Sequence, residues 1–436
     1  MSDITIENKL TEMFDNWSKE SVHLDSALTQ VRKNAIKSFS DLGIPKLKSE
    51  AYKYTPVQRL INKNFDFSVS NQAAGWTKDA CKEEFYQDDK ANHLVFINGE
   101  YVSDYSEIRS TDDLEIKTID DESFDQNAEI KNLMGKTRSI EKDAFAALNL
   151  AFFNNGLFIK VNKNKDAIDT FVYHFVDSES GQTINFPRIL IIGEQGSRAN
   201  IYEKTFSKGS QNVLALSILE ASVAANAEVR FTKLQQFASN EYTIDGIYAN
   251  QDKDSRFYTN TYSISGAVIR NNIHINIGGE NSEAHMNGLY QIAGKSHVDN
   301  NTSVDHMVPN CYSNELYKGI MDENSRGVFN GKIYVRPDAQ KTNAFQSNNN
   351  IVLSDTAIVN TKPQLEIWAD DVKCSHGCTT GQLDEEAIFY LRARGIDKKS
   401  AKALMLNAFA NETLEEVKNE QVKEEIEGII LNKLHY

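Results

Sequence analysis

The sequence predicts a mainly β protein: a right-handed parallel β-helix core, preceded by a mixed α/β N-terminal domain and followed by a C-terminal helical domain. Three observations predict it. Short β-rich pieces recur at near-constant spacing between about residues 157 and 382. No long helical pattern fits inside that stretch. Apolar stripes at helical period lie before and after it. The domains expected are therefore 1–156, 157–382 and 383–436.

The N-terminal region begins with helix-like spacing over 5–18 and 23–41, where Leu24, Leu28, Val31, Ala35 and Ile36 fall on one stripe. His93 to Ile97, then Asn98-Gly99, then Glu100 to Val102 reads as a hairpin, because Asn-Gly supplies the positive φ angles of a type I′ turn. Residues 139–153 read as a helix with Asn154-Asn155-Gly156 as its stop.

The core prediction rests on a period. Pieces beginning at Ala199, Ala227, Ser255, Ala284, Ser313 and Thr342 are spaced by 28, 28, 29, 29 and 29 residues. Most follow a turn-like cluster such as Gly278-Gly279-Glu280-Asn281. A second strand-like series, at Val213–Leu216, Tyr242–Ile244, Val268–Arg270 and Val298, lies between them. One such coil cannot bury its apolar face, whereas a stack of coils makes a continuous narrow core. Inward Ile, Val, Leu and Phe should alternate with outward polar residues. A large antiparallel sandwich is the rival architecture.

The last 50 or so residues read as helices. Asp384 caps the first, with acidic residues in its opening turn, and Gly395 stops it. Asp397 opens the second, with Ala401, Leu404, Met405, Ala408 and Phe409 on one face. Thr413-Leu414-Glu415-Glu416 reads as a capping box, and Ile426, Ile429 and Ile430 continue the stripe. Helices in this place are expected to cover the open end of the solenoid.

Composition narrows the function. The chain has 436 residues, 47 basic and 62 acidic, for a net charge of −15. That surplus argues against nucleic-acid binding through bulk charge. The start lacks the pattern of a secretory signal, and no apolar run approaches the roughly 20 residues of a membrane span. Four cysteines, Cys81, Cys311, Cys374 and Cys378, are too few for a disulfide framework. A soluble cytoplasmic protein without membrane or nucleic-acid partners is expected. No phosphate-binding loop, dinucleotide fingerprint, H-E-x-x-H, C-x-x-C or G-x-S-x-G is present. The chain is thus expected to bind no nucleotide, and any ATPase it works with would be another protein.

Asp370 to Cys378 carries the candidate chemistry. In an extended chain Cys374, His376 and Cys378 share a face, and thiolate with imidazole suits soft and borderline metals. Residues two apart on a strand are separated by roughly 6.6 Å. Metal–ligand bonds are only about 2.0–2.3 Å. The strip therefore suits part of a site, completed by a partner or by sulfide. A strand end with a buried Cys and a surface His is the plain alternative. Cys81 and Cys311 read as structural, and His274, His285, His297 and His306 as satisfied histidines on successive strands. Asp370-Asp371 reads as a solvated turn.

Several segments resemble the SufB/SufD family of iron–sulfur cluster assembly proteins. They are Lys373-Cys374-Ser375-His376-Gly377, Gly381 to Glu386, and Phe389 to Ile396. Glu50-Ala51-Tyr52-Lys53-Tyr54-Thr55-Pro56 is similar to its N-terminal motif, with Tyr52 where Trp is common, and Asn330 to Val335 is similar to its core. The Lys-Cys-Ser-His-Gly form resembles the D-type subunit. Cys378 departs from that type, which often has a small residue there. The resemblance implies a β-helix scaffold rather than an enzyme. It also implies a complex with a B-type paralogue (SufB), paired through the β-helices, and an ABC-type ATPase (SufC) docked on the C-terminal helices. Pairing of two copies of this chain stays open. It further implies that His376, with Cys374 as its neighbour and Cys378 as a local addition, contributes to a nascent iron–sulfur cluster held transiently with the partner. A carbohydrate-active β-helix enzyme and a stand-alone zinc protein using Cys374, His376 and Cys378 are the other readings.

Overall fold

The structure is a computed structural model that describes residues 6–20, 26–67, 75–109 and 112–434. Leu24, placed on the predicted stripe, lies outside the described residues. The architecture is mainly β, a solenoid of about eight turns with helical regions at both ends of the chain. Among the described residues its two sheets each contain ten strands. One runs from Glu100–Tyr101 through Asn92–Ile97, Thr170–Ser178 and Arg198–Gly209 to Lys373–Gly381 at its far edge. The other runs from Leu114–Ile119 to Ile358–Ile367.

The predicted period is the physical repeat. Arg198 pairs with Glu228, Glu228 with Arg256, Arg256 with Glu283, Glu283 with Tyr312, Tyr312 with Asn343, and Asn343 with Lys373, all parallel. The steps are 30, 28, 27, 29, 31 and 30 residues. The intervening series forms the second sheet, with Leu214 beside Tyr242, Tyr242 beside Val268, and Ile269 beside Val298. The corners repeat as well. Gly196, Asn226, Asp254, Asn281, Asn310 and Lys341 all adopt positive φ, which Gly, Asn and Asp accept most readily. The next residue at each corner is small and buried: Ser197, Ala227, Ser255, Ser282, Cys311 and Thr342. Cys311 is thus one rung of a stacked corner, with its thiol against the carbonyls of Gly279 and Pro309.

The interior is less uniformly apolar than the sequence pattern suggests. Ile269, Ile273, Ile275 and Ile277 point inward, but so does Asn271. Asn271 donates to Asn300 on the next coil at 2.8 Å, and Gln235 donates to Asn271 and Asp245. Lys233 sits between Glu203 at 2.7 Å and Asp245 at 3.0 Å. Stacked strands set inward amides one strand spacing apart, so polar residues pair along the axis instead of being left unpaired.

The sheets extend into the N-terminal region. Asn92–Ile97 pairs with Thr170–Ser178 in parallel, and Leu114–Ile119 pairs with Gly156–Val161 antiparallel. The hairpin forms as predicted, with Asn98 at φ 46° and Gly99 at φ 85°. Helix Ala27–Leu42 buries Leu28, Ala35 and Ile36 on the expected face. The helix expected over 139–153 spans Ala144–Phe152. Asp143 accepts from the amides of Phe145 and Ala146 and so fixes a later start, while Gly156 opens a strand rather than closing the helix.

The C-terminal helices do not cover the open end. Leu406, Ala410, Leu414, Val422, Ile426 and Ile430 pack on the flank of the first sheet, against Tyr202, Leu234, Tyr262, Leu289 and Ile320. Polar ties follow the same path: Tyr262 donates to Thr413 O at 2.6 Å, and Arg230 pairs with Glu416 at 2.6 Å. The outer face of that sheet is apolar over these coils, so helices with an apolar stripe gain more by burying it. Helix Lys398–Asn411 accordingly buries Ala401, Ala403, Leu406 and Ala410, while Leu404 is exposed, which corrects the predicted face. Thr413 caps nothing. Its hydroxyl donates back to Ala410 O, and the last helix, Glu420–Leu434, starts from Asn419, which accepts from Val422 N. Asp384, Gly395 and Asp397 act as predicted. Among the described residues no helix is long and apolar enough to cross a membrane.

Candidate functional site

Because the helices fold along the flank, the last coil stays open. Strand Lys373–Gly381 pairs with Asn343–Val352 on one side and ends the sheet on the other. Among the described residues nothing pairs with its outer side, so the backbone there is an edge that can template another strand.

Register fixes where the side chains point. Cys374 stands over Ala344, His376 over Gln346 and Cys378 over Asn348. All three lower residues are buried, so the column faces the lumen of the solenoid. With no further coil above, the lumen mouth presents Cys374, His376 and Cys378 outward. Cys374 is half-buried beside Ala344, Ile333 and Val335, and burial raises its thiol pKa. His376 and Cys378 are exposed. The predicted shared face is present. Among the described residues no group of three or more His, Cys, Asp or Glu side chains is placed to hold a metal ion.

The floor of this mouth is polar. Gln346 donates to Glu315 at 2.6 Å, and burial raises the Glu315 carboxyl to about 7. Asn348 donates to the Tyr290 hydroxyl at 3.0 Å, and Asn350 donates to Asn348 at 2.8 Å. Burial raises the Tyr290 phenol, and the Cys378 sulfur adds to that. Sequence reasoning missed Glu315 and Gln346. The signal was available, since Glu315 lies two residues after the inward Ser313 on a predicted strand.

The other candidates are structural. Cys81 is fully buried and its thiol is raised to about 11. His274 contacts Ser303 through Nδ1 at 2.5 Å, His297 contacts Thr55 at 2.8 Å, and His306 contacts Ser313 at 2.9 Å. His285 stacks on Tyr258 with centroids 4.4 Å apart. Their placement corrects one expectation: His297 and His306 are the two ends of one strand, because strands here run ten residues. Asp370 and Asp371 form the exposed bend before the last strand.

The N-terminal motif docks on the second sheet. The Thr55 hydroxyl donates to Asp299, and the Tyr52 ring lies under Arg270. Glu50 reaches Lys362 and Lys332 near the open end.

Comparison with known proteins agrees with this geometry. Residues 174–409 match the SufBD core domain of SUF-system iron–sulfur cluster assembly, and residues 4–171 match the SufBD N-terminal region. The iron–sulfur cluster assembly protein SufD of Escherichia coli is 31% identical over 392 residues, 88% of each chain. A SufBD family protein of Synechocystis is 29% identical over 408 residues, 90% of this chain and 88% of that one. The chloroplastic protein ABCI7 of Arabidopsis thaliana is 30% identical over 246 residues, 56% of this chain and 51% of that one. With matched domains spanning nearly the whole solenoid and its N-terminal region, the chain belongs to the SufBD family of iron–sulfur cluster assembly proteins.

Proposed function

We propose that this chain is a scaffold subunit of an ATP-dependent complex and supplies half of a nascent-cluster site to a B-type paralogue. The observation that carries this reading is the lumen mouth, where Cys374, His376 and Cys378 line an unpaired sheet edge. A paralogue adding strands at that edge would cover the mouth and bring its own ligands over His376. The cluster is cargo, formed in the shared pocket and passed on. His376 supplies an imidazole nitrogen, Cys374 a half-buried thiol, and Cys378 an exposed one. The chain itself does no catalysis in this reading.

ATP hydrolysis would belong to an ABC-type partner seated on the C-terminal helices. Phe389 and Tyr390 on helix Glu385–Ala393 and Leu404 on helix Lys398–Asn411 are all more than half exposed, and they support that docking face. A homodimer through the same edge is a second use of the surface.

The test is co-expression of His376→Ala with paralogue and ATPase. An intact complex that has lost most of its assembled cluster supports the reading. An intact complex with wild-type cluster yield removes His376 from the site.

A further inference from the structure

We infer that the cleft between the outer face of the second sheet and the N-terminal region binds a small polyvalent oxyanion, a phosphate or a polycarboxylate, held by Arg138, Lys142, Arg270 and Lys332. The cleft lies on the flank, apart from the lumen mouth, and nothing in the cluster-site reading uses it.

Its volume is about 420 Å³, within the range of small-molecule sites. The floor is an amide row, Asn272, Asn301 and Asn330, on three successive strands of the sheet. The roof comes from the segments around Glu50 and Asp143. Four cationic side chains line the cleft; Asp143 pairs with Arg138 at 3.7 Å, Asp299 with Arg270, and Glu50 with Lys332 at 3.8 Å, which leaves a surplus of one positive charge in a chain of net charge −15. Such a local reversal of sign inside a concave wall concentrates anions.

Two buried polar atoms point to a ligand. Arg270 is fully buried and pairs with Asp299 through Nη1, yet among the described residues its Nη2 has no hydrogen-bond partner, and neither has Asn330 Oδ1. One is a charged donor, suited to an oxyanion, and the other is an acceptor, suited to a hydroxyl or a protonated oxygen. The chain already places one anion at the rim. The Glu50 carboxylate is held by Lys362, by Lys332 at 3.8 Å and by Gln364 at 3.5 Å. Glu50 is an exposed side chain on a short 3₁₀ turn, so it is a displaceable occupant of part of the cation cluster. His274 is kept neutral by burial and by Arg138 and Arg270, and so adds hydrogen bonding rather than charge.

The experiment is calorimetric titration of the full chain with pyrophosphate and, separately, with citrate, at constant ionic strength. Saturable 1:1 binding of either is expected. Pyrophosphate alone assigns a phosphate ligand, and citrate alone a polycarboxylate. Lys142→Ala and Lys332→Met, both changes at partly exposed side chains, should each weaken binding. Glu50→Gln should tighten it about fivefold, the effect of removing one competing charge. Absence of saturable binding by both probes, or binding unchanged in all three variants, overturns the inference. Cluster assembly by the complex is read separately, so failure here leaves the His376 reading standing.

Discussion

The guanidinium of Arg270 lies 3.8 Å over the Tyr52 ring and pairs with Asp299, the same carboxylate that receives the Thr55 hydroxyl. One buried cation thus fastens the N-terminal segment to the solenoid wall. Asp299→Ala should destabilise the chain by about 3–5 kcal/mol, because it leaves Arg270 buried without its counter-charge. Thr55→Val should cost about 1 kcal/mol. Urea unfolding of both variants checks the order. Equal midpoints for Asp299→Ala and wild type would refute the fastening.

Two buried groups make opposed contributions to the pH dependence of stability, and these nearly cancel between about pH 4.5 and 6.5. Burial lowers His306 from 6.5 to about 4. Its contribution is complete above pH 6.5 and is lost as pH falls towards 4, because the unfolded chain takes up the proton first. Burial raises Glu315 from 4.5 to about 7. Its contribution is complete below pH 4.5 and is lost as pH rises through 7. Each contribution alone is worth about 3 kcal/mol. Denaturant midpoints between pH 4 and 8 should stay nearly level in the wild type, fall with rising pH in His306→Gln, and rise with pH in Glu315→Gln.

Gly279 marks a corner where two coils nearly touch. A Cβ there would lie 1.9 Å from Lys253 N and 2.2 Å from the Asp252 carbonyl carbon, both backbone. Gly279→Ala should cost about 3 kcal/mol or more. Gly181, with no described residue within 4 Å of its Cβ position, is the control and should be unaffected. Thermal melts distinguish the two.

The exposed edge should tolerate substitution in the isolated chain but not in the complex. His376→Ala and Cys378→Ser should shift stability by less than about 0.5 kcal/mol. His376→Ala should lower cluster yield in the assembled complex at least about tenfold. The ratio of iron to protein in the purified complex measures it.

Much of the fold was legible because it repeats. A positive-φ corner, a small buried residue and an inward row recur every 27 to 31 residues, so each coil reinforces the reading of the next. Cys374, His376 and Cys378 were legible as one face because period two is local. What was not legible is tertiary. Thr413 resembles a cap, but its hydroxyl turns back to Ala410. Leu404 sits on an apolar stripe, yet the helix is rotated by the apolar flank it meets, and Leu404 faces outward. The inward position of Glu315 was legible from Ser313 two residues earlier, but its bond to Gln346 on the next coil was not.

The helical strap along the flank has a mechanical consequence. Its fully buried contacts reach from Tyr202 to Ile320, so they brace the middle coils and stop before the final ones. A solenoid loosens from its ends, where each rung has a single neighbour. The rung bearing His376 is therefore the least braced part of the β body. Amide exchange should be fastest there, and the docking of a second protein should quench it first.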